Sequence, residues 1–329
     1  MSLCLGWKTI ERSKRSEREH FFMVNGARLL EELISSCAGK VNPIRIFSAE
    51  ELEKATDNYD KKQILVVGGM YTAYKGSYRD RAISIRRLNF VSAETVYNAF
   101  NEIVMLSQIN HRNVVKLLGC CIETRDPRSV FEFISNGNLA KHVHEMDPSD
   151  LSWESRLRIA NEIASAITYL HTGTSKPIIH RDIRSLNILL DEHFTAKVTN
   201  FGNSESISES DNGGTNDCMD PEYFFRHDVL GFGKVLFNLL TGKMHQEIFD
   251  GNAGSILMED VDVGTAEVEH FISSLKEKCL CMDRDASILE EGKEAQWVEC
   301  TKLALRCMQW GERPTMREVA EELGRIKRL

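Results

Sequence analysis

HRDIRSLNILL, residues 180–190, is the stretch on which the reading of the whole chain turns. His180 is followed by Asp182, then by Asn187 five residues on, and then by a short apolar run with strand character. A carboxylate and an amide are thereby placed on one loop in front of a strand. In phosphoryl transfer such an Asp accepts or orients the proton of the substrate hydroxyl, and such an Asn offers its amide oxygen to Mg²⁺. Asp182 and Asn187 are therefore the candidate catalytic residues, and Asn187 is a candidate metal ligand.

Upstream of this loop, ILVV, YTAYKGSY and RAISIRRL between Gln63 and Asn89 are short β-rich runs, with bends expected near Lys75-Gly76 and Arg79-Asp80. A helix is predicted from Ser92 to Ile109, with Val96, Phe100, Ile103, Val104 and Leu106 on its apolar face. VVKLLGCCIE and PRSVFEFI supply two more strands, so five strands and one helix make a small α+β lobe. After Asn136-Gly137 the periodicity turns helical, at Leu151–Tyr169, Val229–Leu240, Gln296–Met308 and Met316–Lys327. A sheet-rich lobe joined to a larger helical lobe places ligands at the join. In front of both, residues 17–38 read as a helix stopped by Gly39 and Pro43. Ser48 with Glu51 reads as a capping box for a helix to about Asn58.

Composition agrees with one two-lobed fold plus an extension. The 329 residues are 42% hydrophobic and 27% charged, as in an ordinary soluble globular protein. A net charge of -8 opposes binding to a polyanionic backbone, so nucleic acid is not an expected partner. Nine cysteines form no paired C-x-x-C zinc spacing and read as reduced, buried thiols of a cytoplasmic protein. No run of 18 apolar residues is present, and Ser2 excludes myristoylation. Cys4 ahead of Lys8, Arg12, Lys14, Arg15 and Arg18 leaves open a peripheral anchor at the plasma membrane, against a solvated helical start with Glu11, Glu17 and Glu19 interleaved.

With these residues in place the chain resembles the eukaryotic protein-kinase domain, an α+β bilobal fold. That resemblance implies a division into a helical leader over 1–60, an N-lobe over 61–136 and a C-lobe over 137–329. VVGGMYTAYKG, residues 66–76, stands where the family has its glycine-rich loop. Gly68 and Gly69 are kept, while Val66 and Tyr71 replace the first and third glycines. Side chains there should lift the loop away from a triphosphate. Arg86 replaces the strand-three lysine, and its planar fork cannot fill the volume of an ammonium on the phosphates. Glu102 matches the helix glutamate, so an Arg86–Glu102 ion pair is expected. Asn200, in TNFG, replaces the aspartate that holds Mg²⁺, leaving Asn187 and Asn200 as a degenerate metal pair and Gly68, Gly69, Arg86 and Glu102 as a degenerate ATP site. Framework residues are better kept: Glu222 in MDPEYF is expected to pair with Arg313 in GERPTMREV, and Asp228 in HDVLGFG to anchor the catalytic loop. The segment from Asn203 to Asp220 and the join from Phe224 to Asp228 are shorter than in the family. NSESISESDNGGTND within the first reads as a mobile acidic surface.

KATDNYD, INHRNVVKLLGCCIE, FEFISNGNL and LSWESRLRIANEIASAITYLH are similar to plant receptor-like kinases of the wall-associated type. Lacking an ectodomain and a span, the chain resembles a receptor-like cytoplasmic kinase. Its leader FMVNGARLLEELI and GKVNPIRIFS, with the degraded catalytic set, is similar to the ZRK group of plant pseudokinases. That resemblance implies an adaptor needing no cofactor, with the leader and small lobe on the leucine-rich repeats of a coiled-coil NLR immune receptor and the activation segment on an effector-modified receptor-like cytoplasmic kinase. Two alternatives stay open: a residually active Ser/Thr kinase resting on Asp182, Asn187 and Glu102, and a weakly ATP-binding switch without phosphotransfer.

Overall fold

The computed structural model describes residues 2–36, 43–144, 151–207, 221–242, 273, 293–309 and 313–329. Two compact units share the chain. The first comprises residues 1–110, 115–134 and 200–204, and the second comprises 111–114, 135–199 and 205–329.

The first unit is built on a six-stranded sheet of order β1-β5-β6-β4-β3-β2. Its strands are β1 (Arg45–Ile46), β2 (Ile64–Val67), β3 (Tyr71–Tyr78), β4 (Arg81–Leu88), β5 (Leu117–Cys121) and β6 (Arg128–Glu132). The three β-rich runs form strands with a turn at Arg79-Asp80, where both residues take positive φ. The bend expected at Lys75-Gly76 is absent, because both residues lie inside β3. Gly76 serves a close approach instead: a Cβ there would sit 3.2 Å from the Ala55 carbonyl and 3.1 Å from Ile85.

The sixth strand was not expected. β1 comes from the leader and pairs in parallel with β5, and Gly119 makes that possible, since a Cβ there would lie 2.0 Å from the Arg45 carbonyl oxygen. Between β1 and β2 stands α2 (Ala49–Ala55), closed by the Ser48–Glu51 capping box. It ends before the expected Asn58, in a turn where Asp57, Asn58 and Tyr59 all have positive φ. Phe47, Ala49 and Leu52 from this leader are buried with Ile83, Ile85, Cys121 and Val130 of the sheet, so the leader supplies part of the core. Burying three such side chains contributes roughly 1.5–3 kcal/mol for each large one.

α1 (Ser2–Ser36) starts earlier than the predicted helix, and the Gly39 stop lies outside the described residues. It is tied down through Asn25, whose side-chain amide donates to the carbonyls of Ile122 (3.0 Å) and Thr124 (2.9 Å). Leu29 is buried, and the Arg28 guanidinium lies 5.2 Å from the ring centre of Phe100 on α3 (Ala93–Ser107).

The second unit is mainly helical. α4 (Leu139–His144), α5 (Trp153–Thr172), α6 (Pro221–Thr241), α7 (Glu294–Met308) and α8 (Met316–Ile326) accompany the short strands β7 (Ile178–Ile179), β8 (Ile188–Leu190), β9 (Ala196–Val198) and β10 (Glu205–Ser206). α6 begins before the predicted Val229, and α4 was not foreseen. Arg156 is buried inside α5 and satisfied by the carbonyls of Leu151 (2.9 Å) and Leu239 (2.7 Å), which ties α5 to α6. Burial pushes the thiols of Cys120, Cys300 and Cys307 up to about 12 and that of Cys121 up to about 11, which leaves them protonated and inert.

Candidate functional site

The HRD stretch lies between β7 and β8 in the second unit, and its backbone hangs on one carboxylate. Asp228 on α6 is fully buried and accepts from the backbone N–H of His180 (2.8 Å), the N–H of Arg181 (2.8 Å) and Nε2 of His171 (2.9 Å). Burial by itself would raise the Asp228 pKa. The hydrogen bond and charge of His171, with His180, outweigh burial and hold it below the ordinary carboxylate value. Two bonds to consecutive amides keep Arg181 at φ +65°, in the left-handed region. Asp228 thus accepts two consecutive backbone N–H groups at the start of this loop.

His180 is buried. Its Nδ1 accepts from the Asp182 N–H at 3.2 Å, so Nε2 carries the proton it donates to the Thr199 carbonyl at 3.0 Å. Asn187, at the end of the 3-10 turn Ser185–Asn187, donates its amide to the Asp182 carbonyl at 2.8 Å. Arg184 was missed in the sequence. Its Nε lies 3.1 Å from Oδ1 of Asp182, two residues back, and so partners the carboxylate that a kinase would use on a substrate hydroxyl.

In the first unit Arg86 and Glu102 form the expected ion pair, with side chains only 11% and 7% exposed. Arg86 also lies between two rings, 4.5 Å from the centre of Tyr71 and 4.7 Å from that of Phe131. Burial works against its charge, and Glu102 more than compensates, so its pKa is raised. Glu102 Oε1 further accepts the Phe201 backbone N–H at 3.2 Å. Tyr71, the residue standing in the third glycine position, therefore covers the guanidinium that replaces the phosphate-binding lysine. Gly68 and Gly69 form a turn closed by the Gly68 N–H to Tyr71 carbonyl bond (2.9 Å), and Asn89 donates to both glycine carbonyls.

Asn200 has φ +74°, a conformation Asn tolerates better than most residues. It lines a small pocket with Tyr71, Arg86, Asn98, Glu102 and Asn203. The residues after it are stitched onto α3: Asn101 donates its amide to the carbonyls of Gly202 (3.0 Å) and Ser204 (2.7 Å). No local pattern marks Asn101, because its partners lie about a hundred residues away. Of the framework pair, the Glu222 side chain lies outside the described residues, and Arg313 Nη1 donates to the Arg226 carbonyl at 3.4 Å.

These groups do not match what a magnesium-bound nucleotide requires. Mg²⁺ selects anionic oxygens. Asn200 and Asn187 offer only neutral amide oxygens, the N–H₂ of Asn187 being held by the Asp182 carbonyl, and Arg86 is paired with Glu102 and packed against two rings. Among the described residues no group of three His, Cys, Asp or Glu side chains is placed to hold a metal ion.

A sheet unit with a strand-to-helix Arg–Glu pair and a helical unit with an anchored HRD loop are the parts of a protein kinase. Residues 65–323 match the family of protein tyrosine and serine/threonine kinases, and the chain belongs to it. Its relatives in Arabidopsis thaliana include wall-associated receptor kinase-like 1, 42% identical over 97% of this chain and 44% of the relative. Wall-associated receptor kinase-like 4 is 41% identical over 98% and 43%, and wall-associated receptor kinase 5 is 39% identical over 97% and 44%. The chain spans less than half the length of these relatives. No described helix is long and apolar enough to cross a membrane.

Proposed function

We propose that the chain is a catalytically impaired kinase fold that serves as an adaptor in plant innate immunity. In this role it bridges the leucine-rich repeats of a coiled-coil NLR receptor and an effector-modified receptor-like cytoplasmic kinase. It works in the cytoplasm or peripherally at the plasma membrane, without nucleic acid, and requires no cofactor.

The observation that carries the reading is the Arg86 guanidinium in the place of the strand-three lysine, packed against Tyr71 and Phe131 and paired with Glu102. With Asn200 in place of a carboxylate, loss of the metal ligand alone removes on the order of 3 kcal/mol of transition-state stabilisation. A docking role is further supported by α1, which leaves Met23, Leu30 and Ile34 exposed at 70%, 59% and 71% while Leu29 is buried. An apolar stripe at this spacing fits a partner groove.

Co-purification with candidate coiled-coil NLR receptors tests the role. A complex is expected with the intact chain and is expected to be lost when Met23, Leu30 and Ile34 are together replaced by Asp. Absence of any complex removes the adaptor reading. Labelled phosphate transfer that disappears in Asp182→Ala would establish the residually active kinase instead.

A further inference from the structure

We propose that Glu205 is a built-in substitute for a phosphorylated residue: its carboxylate holds Arg181 and fixes the start of the segment after β9 without any phosphate. This goes beyond the adaptor reading and stands whether or not the chain transfers phosphate.

Kinase segments of this kind are ordered when phosphorylation creates a new pair between an arginine and the phosphoresidue. In this chain the arginine of the HRD loop already has its anion, because Arg181 Nη2 pairs with Oε2 of Glu205. Backbone bonds bring the two residues together, and the pair adds to them. Arg181 is held at φ +65° by its N–H bond to Asp228. Glu205 and Ser206 pair antiparallel with Ile179 and Ile178, and the Ile207 N–H donates to the Pro177 carbonyl at 2.9 Å. The guanidinium also lies 5.8 Å from the ring centre of Phe224. A carboxylate delivered by a strand register to a pre-positioned arginine meets the electrostatic need that phosphate meets elsewhere, with one charge in place of nearly two. The pair is 40% and 52% exposed, so its contribution is modest and open to salt. A phosphate added later would find Arg181 already neutralised, so phosphorylation is not what orders residues 205–207.

Hydrogen exchange on the full chain tests the proposal at the amides of residues 205–207, with those of α8 as an internal reference. In E205R, exchange at 205–207 should rise about fivefold or more, as two like charges replace an ion pair. The swap R181E/E205R should restore it to within about twofold of the native rate, with α8 unchanged throughout. Millimolar inorganic phosphate should leave the native rates as they are. Unchanged exchange in E205R, a swap that recovers nothing, or native amides that gain protection from phosphate would each overturn it.

Discussion

Asp228→Ala is expected to destabilise the helical unit by about 3–5 kcal/mol, the cost of removing one member of a buried charged network. Three donors lose their acceptor at once, and two of them, the His180 amide and the His171 ring, belong to buried residues. Arg181 then loses the amide bond that holds it in the left-handed region. Asp228→Asn should also be costly, because an amide offers one oxygen and turns its N–H₂ toward a backbone N–H. Urea unfolding followed by fluorescence measures both changes. A loss below about 1 kcal/mol for the alanine variant would show that the loop is held by other means. The same residue sets an acid limit. Its pKa is lower folded than unfolded, so its contribution is fully present above the unfolded value and is lost as pH falls through the folded one. Asp228→Asn should flatten the acid side of the stability profile.

Glu102→Ala is the second large effect, again on the order of 3–5 kcal/mol, because it leaves a buried guanidinium without a counter-charge. Arg86 lies between Tyr71 and Phe131 with little access to water, and the Phe201 N–H loses its acceptor in the same change. Removing both charges should hurt less than removing one. Arg86→Met with Glu102→Leu replaces the pair by apolar volume, and such replacements are often near neutral. Thermal melts of the single and double variants check this: the double should melt above Glu102→Ala. Equal or additive losses would mean that the pair contributes independently and that the enclosure by the two rings is incidental.

Much of this arrangement is legible in the chain because its signals are local. β3 and β4 are joined by turn chemistry at Arg79-Asp80, and α2, α3 and α8 begin at side-chain caps within three residues of their own first turns. Lys75-Gly76 misled for a physical reason: a glycine permits a turn and also permits another backbone to come close, and here the second use applies. β1 is only two residues long and depends on Gly119, some seventy residues away, so nothing in its own composition announces it. The same holds for the site. Arg86, Glu102, Asp182, Asn187 and Asn200 fall at motif positions. The enclosure of Arg86 by Tyr71 and Phe131, the Asn101 bonds and the Arg181–Glu205 pair come only from folding. A sequence shows that a lysine has become an arginine; the fold shows what the arginine does.

Calorimetric titration of the full chain with ATP, in Mg²⁺ and then in chelator, tests most directly whether that packing around Arg86 leaves a working nucleotide site. With Arg86 held by Glu102 and covered by Tyr71, and with Asn200 in place of a carboxylate, millimolar ATP should give no heat that depends on Mg²⁺. Saturable, Mg²⁺-dependent binding that Asn200→Ala abolishes would contradict it.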